Sequence, residues 1–164
     1  ELISIAGKER QLVDILQDEP EMREFDLVHL LGTIESRITA KHPDATICID
    51  CPDGITTTSC KKFDMAIEEL ITNAIVHNDA ESPVVSITVR STADTVSIEV
   101  ADNGPFIPEM DRAVLFPERD RPPLYHGSGL GLSLVLVLTS RSNGTISINE
   151  RSAGGNVIQL QVPV

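Results

Sequence analysis

Residues 61–77 form the segment that most constrains the fold, because apolar residues recur there at steps of three and four. Such spacing is typical of an amphipathic helix with one face against a core. The polar residues Glu69, Asn73 and His77 are four apart, so they form a polar row on a neighbouring strip of the same helix. The apolar stripe itself consists of Phe63, Ile67, Leu70, Ile71, Ala74 and Ile75.

The polar row has two interpretations. A carboxylate and an amide oxygen on one helix face can hold a hydrated magnesium ion, which prefers oxygen ligands and keeps several of its waters. The same residues also fit an ordinary solvated helix face. Residues 61–77 taken alone favour the solvated face, and the segments that follow in the chain change that balance.

Composition limits the classes of function. A chain of 164 residues suits one domain with a real core. The net charge of −12 argues against a nucleic-acid partner or an anionic-membrane surface, because phosphates would be repelled. The longest strongly apolar run, residues 130–138, is too short to span a bilayer, and no signal peptide opens the chain. We therefore expect a cytoplasmic piece, whose parent protein can still be attached to a membrane.

The three cysteines offer little support for a metal site. Cys48 and Cys51 have CxxC spacing, but they lie in a predicted strand, where residues three apart face opposite sides. No second CxxC or Cys/His pair completes a zinc site. We expect ordinary buried or half-buried thiols at Cys48, Cys51 and Cys60.

The hydrophobic patterns predict an α+β fold. Asp26 is placed to cap a helix that ends near Lys41, and Ser59 is placed to cap the helix of residues 61–77. Residues 129–141 predict a further helix, and residues 1–24 read as a helical tail that precedes a domain of residues 25–164. Strands are predicted at 45–51, 84–90, 95–101, 145–149 and 157–162.

This order of elements implies a two-layer α/β sandwich, in which three helices cover one face of a mixed, mostly antiparallel sheet. The long segment 102–128 carries five prolines and no sustained period, and loops of this length are usually functional or disordered. We expect the strands at 95–101 and 145–149, which flank that loop and its helix, to lie side by side.

Two short motifs frame the long segment. Asp102 follows a strand, where its carboxylate can accept a hydrogen bond from an exocyclic amine such as that of adenine, while Gly104 permits close backbone approach. Taken alone, this Asp-Asn-Gly sequence is an ordinary turn. Alternating glycines at 127, 129 and 131 open the last helix, where main-chain N–H groups and the helix dipole can bind phosphates. A flexible hinge is the alternative.

Together the motifs resemble those of the GHKL superfamily of ATP-binding domains (the Bergerat fold), which includes DNA gyrase, the Hsp90 chaperones, histidine kinases and MutL. Residues 69–74 (ELITNA) resemble its N box, residues 102–108 (DNGPFIP) its first glycine box, and residues 127–132 (GSGLGL) its second. The resemblance is closest to the catalytic domain of sensor histidine kinases. The acidic, lysine-poor composition is similar to that of haloarchaeal proteins, and also fits an acidic mesophilic protein.

The resemblance implies a role for each motif. Glu69 and Asn73 would be catalytic: Asn73 would ligate the Mg²⁺ that bridges the phosphates of ATP, and Glu69 would orient a water or the metal's shell. Asp102 would accept a hydrogen bond from the adenine amine, beneath a lid of residues 105–126. The other nucleotide contacts would come from His77, Gly104, Ile107, Gly127, Ser128, Gly129, Leu130, Gly131, Leu132 and Asn156.

The sequence departs from the family pattern at three positions. Phe106 replaces the second glycine of the first box, and Val76 stands where many kinases carry a Lys or Arg. Asn156 follows Gly155 in place of the usual threonine. These departures predict weakened binding of the nucleotide.

The function implied by the resemblance is that of a kinase domain that binds Mg·ATP and donates the γ-phosphate to a histidine. No acceptor-like stretch surrounds the histidines of this chain, so we expect the acceptor on a dimerisation domain of the same protein, whose end would be residues 1–24. A response regulator and a second copy of the full-length protein are the other expected partners. An anti-sigma-like serine kinase and a degenerate docking module remain alternatives.

Overall fold

The computed structural model describes residues 5–19, 21–105, 129–151 and 154–164. None of the helices in these ranges is both long and apolar enough to cross a membrane. The helices are α1 (Ile5–Gln17), α2 (Leu27–Lys41), α3 (Phe63–Val76) and α4 (Gly129–Arg141). The strands are β1 (Met22–Asp26), β2 (Thr46–Asp50), β3 (Thr56–Cys60), β4 (Val84–Ser91), β5 (Thr95–Asp102), β6 (Thr145–Glu150) and β7 (Asn156–Pro163).

The main sheet has the strand order β2-β4-β5-β7-β6. Only the β2–β4 pair is parallel among these strands, which confirms the predicted mixed, mostly antiparallel sheet. The expectation that β5 and β6 are neighbours is wrong, because β7 lies between them. The reason is burial: β7 alternates the buried residues Ile158, Leu160 and Val162, whereas only Ile148 of β6 is buried, so β6 suits the edge.

One face of this sheet packs against the helices. Along β5, the alternate residues Val96, Ile98 and Val100 are almost completely buried, and β4 contributes Val85, Ile87 and Val89 in the same way. Helices α2, α3 and α4 close the core over this face. The buried face of α3 matches the predicted apolar stripe, with Ala66 buried and Ala74 at its margin.

A second, two-stranded sheet was not predicted from the sequence. Strands β1 and β3 pair antiparallel, from Met22↔Cys60 to Asp26↔Thr56. The predicted cap at Ser59 is therefore wrong: this serine is buried in β3, where its hydroxyl contacts that of Thr57 at 3.0 Å. Helix α3 starts after Lys62 instead, without a capping side chain. The predicted cap at Asp26 is confirmed, since its Oδ1 accepts a hydrogen bond from His29 N at 3.2 Å.

Helix α1 packs against α4, and its Ile15 is buried in the common core. The guanidinium of Arg141, the last residue of α4, donates hydrogen bonds to the carbonyl oxygens of Leu16 (3.0 Å) and Asp18 (2.8 Å). These bonds satisfy acceptors at the end of α1 that lack partners within the helix. The boundary predicted between residues 24 and 25 stays a prediction.

A buried polar link joins β3 to the end of α4. The Ser142 hydroxyl accepts a hydrogen bond from Cys60 N (3.0 Å) and donates one to the Leu138 carbonyl (2.8 Å). The Cys60 thiol donates to the same carbonyl at 3.4 Å. Since Cys60 lies three residues before the first residue of α3, the end of α4 lies beside the start of α3, and the two packed helices run antiparallel.

Removing the Ser142 hydroxyl should destabilise the fold. Ser142→Ala leaves the buried N–H of Cys60 without an acceptor, and we expect the free energy of unfolding to fall by about 1–3 kcal/mol. Ser140→Ala, at an exposed position in the last turn of α4, should change it by less than about 0.5 kcal/mol. Urea unfolding of both variants measures the difference, and equal values would contradict the proposed importance of this link.

Candidate functional site

Asp102 is a buried carboxylate at the end of a central strand. It is the last residue of β5, only 6% exposed, and it lies on the same face as the core residues of that strand. Its Oδ1 accepts hydrogen bonds from Gly104 N (2.9 Å), Asn156 N (3.4 Å) and Asn156 Nδ2 (3.3 Å). No donor among the described residues bonds to Oδ2. The structure thus brings together Asp102, Gly104 and Asn156, all predicted site residues.

Asn156 faces Asp102 because of the register between β5 and β7. The last pair in the ladder is Ala101↔Val157, so the next residues of the two strands meet across the sheet on its helix-facing side. Asn156 is 3% exposed, and its Nδ2 also donates to the carbonyl of Pro105 at 2.8 Å. The side chain therefore ties the start of the long segment to the sheet.

The turn between β6 and β7 supports the main chain of Asp102. Gly155 has a φ of +100°, and a Cβ atom on it would overlap the carbonyl oxygen of Asp102. Arg151 Nη1 donates a hydrogen bond to that same oxygen at 2.9 Å. Arg151 was not predicted from the sequence, and Gly155 was considered only as the neighbour of Asn156. The adjacent glycines 154 and 155 were the signal for a close approach.

The predicted polar row of α3 lies at the same end of the sheet as Asp102. Glu69 and Asn73 are half-buried and His77 is exposed where the helix ends, with His77 N bonded to the Asn73 carbonyl at 3.1 Å. The next residue, Asn78, donates from Nδ2 to Asn103 Oδ1 at 2.7 Å. This bond places the end of α3 directly beside the end of β5.

The amino terminus of α4 lies at the same end of the helix layer. Helix α4 begins at Gly129 as predicted and runs antiparallel to α3, so its start lies toward the end of α3 that carries His77. Leu132 is 3% exposed and packs in the core, so only its main chain is available to a ligand. The predicted contacts Ile107, Gly127 and Ser128 lie outside the described residues, as do Phe106 and most of the predicted lid.

The cysteines lie apart from this site. Among the described residues, no group of three or more His, Cys, Asp or Glu side chains could hold a metal ion. Cys60 is buried and Cys51 half-buried, as expected, whereas Cys48 is exposed because it points away from the core on the edge strand β2. Burial raises the pKa of the Cys51 thiol, and the nearby carboxylates of Asp26, Asp53 and Asp50 raise it further.

The matching family agrees with the resemblance seen in the motifs. Residues 60–164 match the family described as histidine kinase-, DNA gyrase B-, and HSP90-like ATPase. The chain belongs to this family. It is 29% identical over 141 residues to the sensor-type histidine kinase PrrB of Mycobacterium tuberculosis, covering 84% of this chain and 31% of that protein. It is 28% identical over 175 residues to the signal transduction histidine-protein kinase AfsQ2 of Streptomyces coelicolor, covering 97% of this chain and 32% of that protein.

Solved structures of histidine kinases share the fold of this ATPase-family domain. The ATP binding domain of PrrB from Mycobacterium tuberculosis superposes with a TM-score of 0.69 at 26% identity, over 87% of this chain and 96% of that one. The catalytic domain of histidine kinase ThkA superposes with a TM-score of 0.72 at 22% identity, over 87% and 97%. The structure of ThkA in complex with response regulator protein TrrA superposes with a TM-score of 0.77 at 18% identity, over 97% of this chain and 47% of that one.

The two glycines of the β6–β7 turn provide a matched test of the support for Asp102. Both have positive φ, so an alanine at either position should cost about 1 kcal/mol in backbone strain. Only Gly155→Ala also forces the main chain of Asp102 to move, so we expect an additional loss of about 1–3 kcal/mol in the free energy of unfolding. Urea unfolding compares them; equal losses for Gly154→Ala and Gly155→Ala would contradict the close packing against Asp102.

Proposed function

We propose that this chain is the catalytic, ATP-binding domain of a sensor histidine kinase, which binds Mg·ATP and donates the γ-phosphate to a histidine on a separate dimerisation domain. The carrying observation is the Asp102 carboxylate, which is buried at the end of β5 and accepts hydrogen bonds from the described residues on Oδ1 alone. Membership of the ATPase family and similarity to sensor histidine kinases support the same proposal.

Asp102 would recognise the base. Its Oδ1 is already occupied by main-chain and amide N–H groups, whereas Oδ2 can accept a hydrogen bond from the exocyclic amine of adenine. Guanine carries a carbonyl at the corresponding position, so two acceptors would face each other. Because an unpaired buried acceptor is costly, the carboxylate would favour ATP over GTP.

The polar row of α3 and the start of α4 would hold the phosphates. Asn73 and Glu69 supply amide and carboxylate oxygens, the ligand types that suit Mg²⁺, and both lie on a part of α3 that faces partly outward. When bound, the ion would neutralise phosphate charge. The N–H groups at the start of α4 would face the phosphates, aided by the helix dipole. Val76, 40% exposed, supplies no charge there, which supports the prediction of weakened binding.

The partners follow from the same proposal. A solved relative, ThkA, is in complex with a response regulator protein, and we propose a response regulator as a partner of this protein as well. The chain spans about a third of the length of the curated kinases named above. Residues 1–24 would be the end of the dimerisation domain, which would carry the acceptor histidine and pair two copies of the full-length protein.

Titration calorimetry with Mg·ATP, in both low and multimolar KCl, tests the pocket. Asp102→Asn preserves shape but turns an amide N–H₂ toward the adenine amine, and we expect the affinity to fall at least about tenfold. Asn73→Ala should weaken Mg·ATP binding as well. The control is Asp94→Asn, the same change in the exposed turn at the other end of β5. An Asp102→Asn variant that binds ATP like the wild type would refute the assigned role.

The acid stability of the phosphorylated product distinguishes a histidine kinase from a serine kinase. A longer protein that includes the dimerisation domain should take up phosphate from radiolabelled ATP in an acid-labile form, because phosphoramidates of histidine hydrolyse in acid. Asn73→Ala in that protein should abolish the labelling. Acid-stable label on a protein substrate would instead support the serine-kinase alternative. Absence of both labelling and ATP binding would support the docking module.

A further inference from the structure

Two asparagine amides join the loop after α3 to the turn after β5. Asn78 Nδ2 donates a hydrogen bond to Asn103 Oδ1 at 2.7 Å. The same Oδ1 accepts a second hydrogen bond from Val84 N at 3.0 Å, and Asn78 Oδ1 accepts one from Ala80 N at 2.9 Å. One short chain of hydrogen bonds thus connects the end of α3, the start of β4 and the end of β5.

The main-chain partners fix the direction of the bond between the two amides. A main-chain N–H can only donate, so the atom of Asn103 that faces Val84 N must be the oxygen. By the same reasoning, the atom of Asn78 that faces Ala80 N is its oxygen, which leaves the amide nitrogen for Asn103. Asn78 is therefore the donor and Asn103 the acceptor.

The Asn103 side chain ends the ladder between β4 and β5. The last residue pair in this ladder is Val85↔Asp102. One position further, Val84 N bonds to the side-chain oxygen of Asn103, which takes the place of a main-chain acceptor. The main chain is then able to turn, so that Gly104 N returns to Asp102 Oδ1. The position of the Asn103 amide thus determines the turn that presents the Asp102 carboxylate.

Gly104 packs against the other member of the pair. A Cβ atom on Gly104 would lie 3.1 Å from Cγ and 3.2 Å from Nδ2 of Asn78. The φ of Gly104 is outside the left-handed region, so the backbone conformation does not demand glycine there. The close contact with Asn78 gives a structural reason for glycine at this position, in addition to the approach of a ligand expected from the sequence.

We propose that Asn78 and Asn103 are positioning residues that fix Asp102 and Gly104 for the adenine end of the nucleotide site. They act through Asp102 and connect it to the end of α3, which carries Asn73 and His77. This inference rests on the proposed function and deepens it, since it assigns the orientation of the base-recognising carboxylate to residues outside the set predicted from the sequence.

The same substitution at the two ends of one hydrogen bond provides the test. Asn103→Asp retains an oxygen that can accept from both Asn78 and Val84, so we expect its affinity for Mg·ATP to stay within about threefold of wild type. Asn78→Asp places an oxygen against the oxygen of Asn103, and we expect an affinity about tenfold weaker. The two variants carry the same added charge, so general repulsion of the anionic nucleotide is matched. Asn103→Leu, which adds no charge and has no acceptor, should behave like Asn78→Asp.

Two further readouts separate positioning from simple loss of stability. The preference for ATP over GTP should fall in Asn78→Asp and Asn103→Leu but not in Asn103→Asp, because only a displaced Asp102 loses base discrimination. In the nucleotide-free protein, hydrogen exchange of the Gly104 amide should speed up in the same two variants. Melting temperatures record any general destabilisation.

The outcomes distinguish this inference from the proposed function. Wild-type affinity and ATP preference in all three variants would overturn the positioning role while leaving the kinase proposal intact. Equal losses in Asn103→Asp and Asn78→Asp would overturn it too, as would a lower melting temperature with an unchanged ATP preference. If the wild type binds no ATP, the proposed function fails, and unchanged Gly104 exchange would then show that the pair does not hold the turn either.

Discussion

The burial of the Asp102 carboxylate is the constraint on which this end of the molecule depends. A carboxylate removed from water is costly unless N–H groups surround it. The β5–β7 register supplies Asn156, and the turn after β5 supplies Gly104 N. The main chain of Asp102 is supported in turn by Arg151 and by the close approach of Gly155. The described residues pair one oxygen of the carboxylate and leave the other without a donor among them, so ordinary sheet geometry would supply the proposed recognition element.

The rest of the proposed site depends on an interaction at the far end of the helix layer. Ser142 and Cys60 hold the end of α4 beside the start of α3, which makes the two helices antiparallel. The start of α4 consequently lies toward the end of α3 that carries His77, and the bond between Asn78 and Asn103 joins that end of α3 to the end of β5. Under the proposed function, the helices would provide oxygen ligands for the metal ion and N–H groups for the phosphates, while the sheet would provide the carboxylate for the base. Phosphoryl transfer requires mainly positioning and neutralisation of charge, and rigid elements are suited to both.

The sequence predicted the features that depend on local periodicity. Helix α4 has the predicted bounds, and α3 and the five strands of the main sheet lie within a few residues of theirs. The sequence does not predict β1 and β3, because these five-residue strands lack a strong alternation of apolar and polar residues. They are stabilised by tertiary contacts instead, and even the polar residue Ser59 of β3 is buried. The place of β7 between β5 and β6 could be predicted only by comparing how many apolar residues each whole strand buries. The bond between Asn78 and Asn103 joins residues 25 apart in a way that no spacing rule indicates, and Arg151 was missed for the same reason.

Because the sequence departs from the family pattern at Val76, the proposed binding of ATP would rely less on charged contacts to the phosphates and more on contacts to the base. With Val76 on the exposed side of α3, the phosphates would be bound by neutral N–H groups, the helix dipole and the metal ion, without a lysine or arginine at that position. An exposed lysine contact weakens as salt screens it, whereas the hydrogen bonds of a buried carboxylate are screened much less. In a protein with a net charge of −12, long-range attraction of an anionic nucleotide is absent as well. Affinity would then depend strongly on how accurately Asp102 is held, because salt would weaken its proposed hydrogen bond to the base much less than it weakens an exposed ion pair.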